Sequence, residues 1–375
     1  MKFVASSNEL LAHMQILGRV INSKNNLPIL DNFLLQLKGN ELKIIASDLE
    51  TTMISTILLG NTEQEGSIAL PARILTESLK KLPEQPITFD INTETHAVII
   101  RYENGRYTIA GQSGEDFPEI PQLKEEKATS ASLKASAILD GINNTLYATA
   151  NDELRPIMNG ILVEFGEADL TLVASDAHKL VRYKRSDVQP GQTASFILPK
   201  KPAGLIKSIL SKNTETLEIS FDDRNARFST PQYTLICRLT EGNYPAYNSV
   251  IPKNNPNKLT IDRMDFCNAL ERVAIFANQA SNLVKLEIKG NELILSAQDI
   301  DFSTSSQERT QCHYEGDDIE IGFKASFLIE ILSNLNSENI LFEMSDPSRA
   351  GLILPLQTEP DEDILTLLMP MMVNG

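Results

Sequence analysis

One phrase recurs three times along the chain. Residues 39–52 read GNELKIIASDLETT, residues 290–303 read GNELILSAQDIDFS, and ADLTLVASDAHKL at 168–180 fits the same frame between them. Asp48, Asp176 and Asp299 stand opposite one another, 128 and 123 residues apart. Solenoid repeats run to about 20–50 residues, so this period is instead the size of a small domain. A chain of 375 residues is therefore expected to hold three similar domains in a row. Helix-period apolar residues precede each copy, in 6–21, 130–148 and 260–279, each opening near a Ser, Thr or Asp suited to a helix start. An alternating strand follows (FLLQLKG, ILVEFGE, VKLEIKG), then a turn, then the phrase as a second strand. Gly39 and Gly290 fall in the turn, where positive φ is expected. Further on, 66–82, 194–210 and 319–332 each read strand then short helix, with more strands behind. Each domain thus reads as a pair of helix-plus-strands half-repeats, an α+β fold. The Pro-marked links EDFPEIPQL and EGNYPAYNSVIPKNNP set the expected domains at 1–124, 125–254 and 255–375. A chance echo of strand-like sequence would not hold register three times with matching flanks.

Little in the chain reads as catalytic. The four histidines, His13, His96, His178 and His313, stand at no metal-ligand spacing, and neither do Cys237, Cys267 and Cys312. Scattered cysteines in odd number suit free thiols in a reducing compartment better than a disulfide frame. No phosphate-cradling Gly loop or dinucleotide fingerprint is present, so no cofactor and no metal are expected. Ser175, Asp176 and His178 invite a hydrolase reading, but no nucleophile elbow surrounds Ser175, and a triad assembles in space rather than by adjacency. The three repeated aspartates read as Asx residues closing a turn. No apolar run approaches the ~20 residues of a membrane span, and MKFVASSNEL lacks the apolar core of a signal peptide. The expectation is a cytoplasmic protein.

Net charge is −16, which on its face argues against nucleic acid, since phosphate binding needs Lys and Arg. The distribution is less simple. The expected helices 8–21, 72–82, 133–148, 200–212, 262–279 and 324–334 together carry +5, leaving −21 to strands and loops. If the helices share a face, that face is mildly positive inside an acidic body and would steer a polyanion toward itself. Ordinary solvated helix faces give the same count, so charge alone does not choose.

The short motifs do. MKF at the start, LPIL (27–30), SDLE (47–50), LPAR (70–73), DFP (116–118), SDAHKL (175–180), YPAY (244–247), IGF (321–323) and MPM (369–371) occur in order along the chain. With these, the whole chain resembles the bacterial DNA polymerase III beta-subunit family of sliding clamps. The resemblance implies three clamp domains, with helices lining a ring and antiparallel sheets outside. Two chains would join head to tail into a homodimeric ring around double-stranded DNA. A clamp loader would open it, and it would tether the replicative DNA polymerase and other clamp-binding-motif proteins, conferring processivity without catalysis. A ring held by topology needs only weak phosphate contacts, which removes the charge objection. Lys24, Arg73, Lys80, Lys81, Lys200, Lys201, Lys207 and Arg272 are then the expected DNA-facing residues.

The resemblance also implies a peptide-binding cleft, lined here by Met158, Ser175, Ala177, His178, Lys179, Leu180, Pro245, Val250, Phe327, Ser348, Ala350, Met369, Pro370 and Met371. Leu180, Val250, Met369 and Met371 would form its apolar pocket, with His178 and Lys179 as polar rim. Leu367 and Leu368 are expected buried, and the last methionines exposed. The family often carries Gly-His-Arg where this chain has Ala177, His178 and Lys179, and Arg where it has Met372, which leaves peptide preference open. At the dimer interface, Tyr107 and Ile109 would face Ile275 and Phe276. Competing readings are an enzyme, which needs a convergent acid, base or metal set, and a scaffold unrelated to DNA, which would not form a ring.

Overall fold

The structure is a computed structural model describing residues 1–210 and 214–373. Lys212, expected on the fourth helix, lies outside the described residues, as do residues 374–375. Among the described residues there are six α-helices: α1 (Ser7–Leu17), α2 (Ala72–Leu79), α3 (Ala135–Thr145), α4 (Lys200–Ile209), α5 (Arg263–Ala274) and α6 (Ala325–Asn334). Six times the chain writes strand, helix, three strands, so each sequence repeat holds two such half-repeats. Gly39 and Gly290 have φ of +59° and +56°, as the hairpin turns require.

Two expectations about the helices are corrected. The stretches 130–148 and 260–279 do not begin as helix. Thr129–Lys134 and Asn257–Asp262 are strands whose side chains alternate in burial, and the helices start at Ala135 and Arg263. The Asp262 carboxylate caps α5 by accepting the Asp265 amide at 2.8 Å, and Ser6 does the same for α1. The second correction concerns charge. Within their observed bounds the helices carry six basic residues (Arg73, Lys200, Lys201, Lys207, Arg263, Arg272) and six acidic ones (Glu9, Glu77, Asp140, Asp265, Glu271, Glu330). The expected excess sat on flanking turns and strand ends, at Arg19, Lys80, Lys81, Lys134 and Lys324.

Among the described residues every strand pairing is antiparallel, and the strands form four sheets. The chain divides into two compact units that cut across the sequence repeats. Met1–Ser136 with Lys201–Leu239 holds the first repeat and the second half of the middle one. Ala137–Lys200 with Thr240–Gly375 holds the rest. The cause is strand pairing. In the first unit, Thr51–Leu58 pairs with Tyr233–Arg238, fusing strands of two repeats into one nine-stranded sheet. In the second, Lys179–Arg185 pairs with Glu362–Leu368 and makes another nine-stranded sheet. Each unit also has a smaller sheet, of five and of four strands.

The cores lie where helices pack on one sheet face. Leu10, Met14 and Leu17 of α1 are fully buried, as are Leu328, Ile331 and Leu332 of α6. Each such side chain contributes about 1.5–3 kcal/mol through apolar burial. Phe3 and Phe89 stack at 4.7 Å across neighbouring strands, and Phe323 meets Phe342 at 5.3 Å. His13 is the one polar residue on the buried face of α1 besides Ser7; its Nδ1 bonds Ser55 Oγ at 2.7 Å.

Candidate functional site

The three repeated aspartates all build the same turn. Asp48 Oδ1 accepts the amides of Glu50 and Thr51, Asp176 Oδ1 those of His178 and Lys179, and Asp299 Oδ1 those of Asp301 and Phe302. These are Asx turns, as expected. The second oxygen is used differently each time, by Lys201 at Asp48, by Lys179 at Asp176 and by Asn278 at Asp299. Among the described residues Ser175, Asp176 and His178 form no hydrolase triad. The Ser175 hydroxyl is buried, donates to Lys179 O at 2.9 Å and accepts the Ala177 amide.

The middle turn opens onto the residues expected in the cleft, and one of them is corrected. Lys179 is no rim residue. Its side chain is 5% exposed, with Nζ 2.7 Å from Asp176 Oδ2, 3.1 Å from Glu330 Oε2 and 4.4 Å above the Phe327 ring. An aliphatic stem that passes under the turn and finds two carboxylates and a π-face is satisfied internally. Burial alone would push the Asp176 carboxyl up, but the Lys179 ammonium and the two turn amides outweigh it and hold it below the usual range. His178 does stand on the surface, leaning on Phe327 at 5.9 Å, and Lys324 approaches the same ring at 4.7 Å. Three basic side chains thus converge on one aromatic wall.

The chain's end forms the adjoining wall. Leu367 and Leu368 are buried, whereas Met369 is 42% exposed. The Met369 amide donates to His178 O and the Met371 amide to Gly322 O, both at 2.8 Å. Gly322 is needed there, since a Cβ would stand 2.8 Å from Met371 O. Met371 and Pro370 are half-buried, as is Met158, while Pro245, Val250 and Ser348 are exposed. Beneath lies an apolar bed that composition did not reveal: Leu162, Val173, Leu180, Ile197, Ala350, Leu352, Leu365 and Leu367, edged by Tyr244, Tyr247 and Ile251. Strand alternation in 351–355 and 362–368 could have indicated it, but which face is outward is not written in the pattern. Glu330 and Lys324, from α6 and the strand before it, had no sequence signal at all.

The expected DNA-facing residues divide. Lys24, Arg73, Lys81 and Lys207 are exposed. Lys201 is corrected: Nζ donates to Val20 O at 2.6 Å, Asn22 Oδ1 at 2.7 Å and Asp48 Oδ2, using all three donors internally. Arg272 is engaged by both Glu308 oxygens. Lys80 pairs with Glu77 at 2.8 Å on the surface, a pair solvent weakens. Lys200 donates to Asn151 Oδ1 at 3.2 Å.

Among the strands that end their sheets are Gly105–Ala110 in the first unit and Thr304–Gln311 in the second. The first carries Tyr107 and Ile109. Beside the second lie Ile275 and Phe276, 78% and 39% exposed. Ile300 and Phe302, in the third Asx turn, are 79% and 74% exposed; the repeat frame, which aligns on the aspartate, does not single them out.

Comparison with known proteins follows the same threefold division. The models of the N-terminal, central and C-terminal domains of the DNA polymerase III beta subunit match residues 1–121, 132–246 and 248–372. The beta sliding clamp of Pseudomonas aeruginosa is 26% identical over 372 residues, covering 99% of this chain and all of that protein. That of Synechococcus elongatus is 29% identical over 367 residues, covering 95% and 96%. Among solved structures, a Pseudomonas aeruginosa sliding clamp bound to griselimycin superposes with a TM-score of 0.93 at 25% identity, over the full length of both chains. A Bartonella birtlesii clamp, also bound to griselimycin, gives 0.91 at 27% identity over the same full coverage. The chain belongs to the DNA polymerase III beta-subunit family, the beta sliding clamps.

Proposed function

We infer that this protein is a non-catalytic DNA sliding clamp that encircles duplex DNA as a homodimeric ring and tethers the replicative polymerase. The observation that carries the ring is the pairing rule. Within the chain, the third strand of a first half-repeat twice pairs with the last strand of the following repeat: Thr51–Leu58 with Tyr233–Arg238, and Lys179–Arg185 with Glu362–Leu368. One strand of each kind is left over, Thr304–Gln311 and Gly105–Ala110. They complete the rule only between two copies, head to tail. Apolar Ile275, Phe276, Ile300 and Phe302 beside one edge, and half-buried Tyr107 on the other, support that contact, whereas Ile109 is buried in its own core at 8% exposed. The repeats are taken as domains 1–124, 125–254 and 255–375, acting in the cytoplasm; no helix among the described residues is long and apolar enough to cross a membrane.

Lys24, Arg73, Lys81 and Lys207 are the residues proposed to meet DNA. Loading the protein with a clamp loader and ATP onto closed circular and linear duplex, then raising salt, tests the ring. Retention on circles alone is expected; equal loss from both overturns topological binding. The cleft around Leu180, His178, Phe327 and Met369 is proposed to take the clamp-binding peptides of polymerase and loader at roughly micromolar strength. Removing the chain from Met369 onward should abolish peptide binding and leave the dimer intact. Unchanged peptide affinity overturns the cleft assignment.

A further inference from the structure

The repeat puts a second sheet face in register with the cleft. In the first unit, an apolar cluster of Leu30, Leu34, Ile45, Ala69 and Phe117 sits at an offset of 128 residues from Met158, Leu162, Val173, Ile197 and Pro245. Beside this shared half the two faces diverge. The cross-strand row Leu180, Leu367, Leu352 becomes Thr52, Ile236, Arg227. Conversely Arg182, held by Asp363 at 2.7 Å, is replaced by Ile54. An arginine has thus left a row where a carboxylate holds it. It has entered one where its cross-strand neighbours are Ile236 and Ser220 and where, among the described residues, it has no ion-pair partner.

The result is a groove of about 610 Å³ in which Ile45, Ile54 and Ile236 lie beside Lys43 and Arg227. Its one carboxylate, Glu218, is engaged by the Ser132 hydroxyl at 2.5 Å. In a chain of net charge −16, a groove with half-buried Ile54 and Ile120, uncharged Gln, Ser and Thr side chains, two cations and one occupied acid is a local inversion of charge. Two cations are too few to hold a polyphosphate, and no aromatic ring lines the groove for a base to stack on. A carboxylate on a guanidinium, with an apolar side chain against the half-buried Ile54 and Ile120, fits instead.

We propose that this groove is a second peptide site, taking a short extended segment with a carboxylate flanked by apolar side chains. Its likeness to the cleft rests on the peptide reading given above; its charge and lining do not. Isothermal titration of the full-length protein with acetyl-Leu-Asp-Leu-Leu-amide tests it. Two binding events per chain are expected. Arg227→Glu should weaken one at least tenfold, and Lys43→Glu severalfold, with circular dichroism unchanged. Leu180→Asp should remove only the other. A single event that neither Arg227→Glu nor Lys43→Glu alters overturns the groove, as does no binding at millimolar peptide. Loss caused by Arg227→Glu but not by Leu180→Asp sustains the groove and overturns the cleft.

Discussion

Ala177 is held at φ +76°, and Leu49 in the first copy of the turn at +78°. Left-handed backbone is disfavoured for a residue with a Cβ by about 1–2 kcal/mol, which the two turn amides on Asp176 offset. Ala177→Gly should therefore stabilise the protein by about 1 kcal/mol in urea unfolding. Lys179→Met should do the opposite. It leaves Glu330 and the half-buried Asp176 without their ammonium, and a loss of about 3 kcal/mol is expected, together with weaker peptide binding as Phe327 loses its support. His13 gives a pH signature. Burial lowers its pKa below the ordinary value. The unfolded chain, titrating near ~6.5, then binds more protons than the folded one, so stability falls as pH drops through about 6.5. His13→Asn should flatten melting temperature across that window. At this scale the Asx role of the aspartates was legible, because the accepting carboxylate and its amide donors lie within three residues. The burial of Lys179 was not. A lysine after a turn reads as solvated, and the Phe327 and Glu330 that enclose it arrive some 150 residues later.

At the scale of elements, strands and helices were largely readable from period. The leading strands Thr129–Lys134 and Asn257–Asp262 escaped because each runs directly into its helix, with no turn residue to mark the change of period. Pairing partners were not readable at all, since alternation states which side chains share a face but not which strand lies alongside. With the pairings known, register can be carried through the repeat. Leu180 lies opposite Leu367 and Thr52 opposite Ile236. The equivalent positions at the free edges are Ser305 and Thr108. A protein with Thr108→Cys and Ser305→Cys should form an inter-subunit disulfide on mild oxidation, visible as a dimer without reductant. A disulfide that forms better after moving one cysteine by a single residue would show that the register slips at the proposed seam.

For the whole molecule, the sequence carried the threefold plan but not the way it is joined. Repeats 123–128 residues long suggest three separable bodies, yet the compact units each borrow half of the middle repeat. A sheet that runs from one repeat into the next is a stiffer joint than a linker, because bending it breaks ladder hydrogen bonds. The proposed dimer extends the same joint to a second chain. Phe276→Asp places a charge at the proposed seam, next to exposed Ile275, and should shift sedimentation from dimer to monomer; a dimer that persists contradicts the assignment. The DNA contacts need not be strong, which agrees with helices of balanced charge and with Lys201 and Arg272 being engaged by the protein itself.

The two unlike free edges have a further consequence. A head-to-tail contact carries no built-in stopping point: each added copy offers the same bare strand as the last. Only the angle between copies decides whether the chain of copies bites its own tail or runs on as a filament. Variants that alter that angle without weakening the edge strands should therefore scatter light and grow fibres as concentration rises, not fall apart into single chains. Curvature, more than affinity, then decides between a closed ring and a filament.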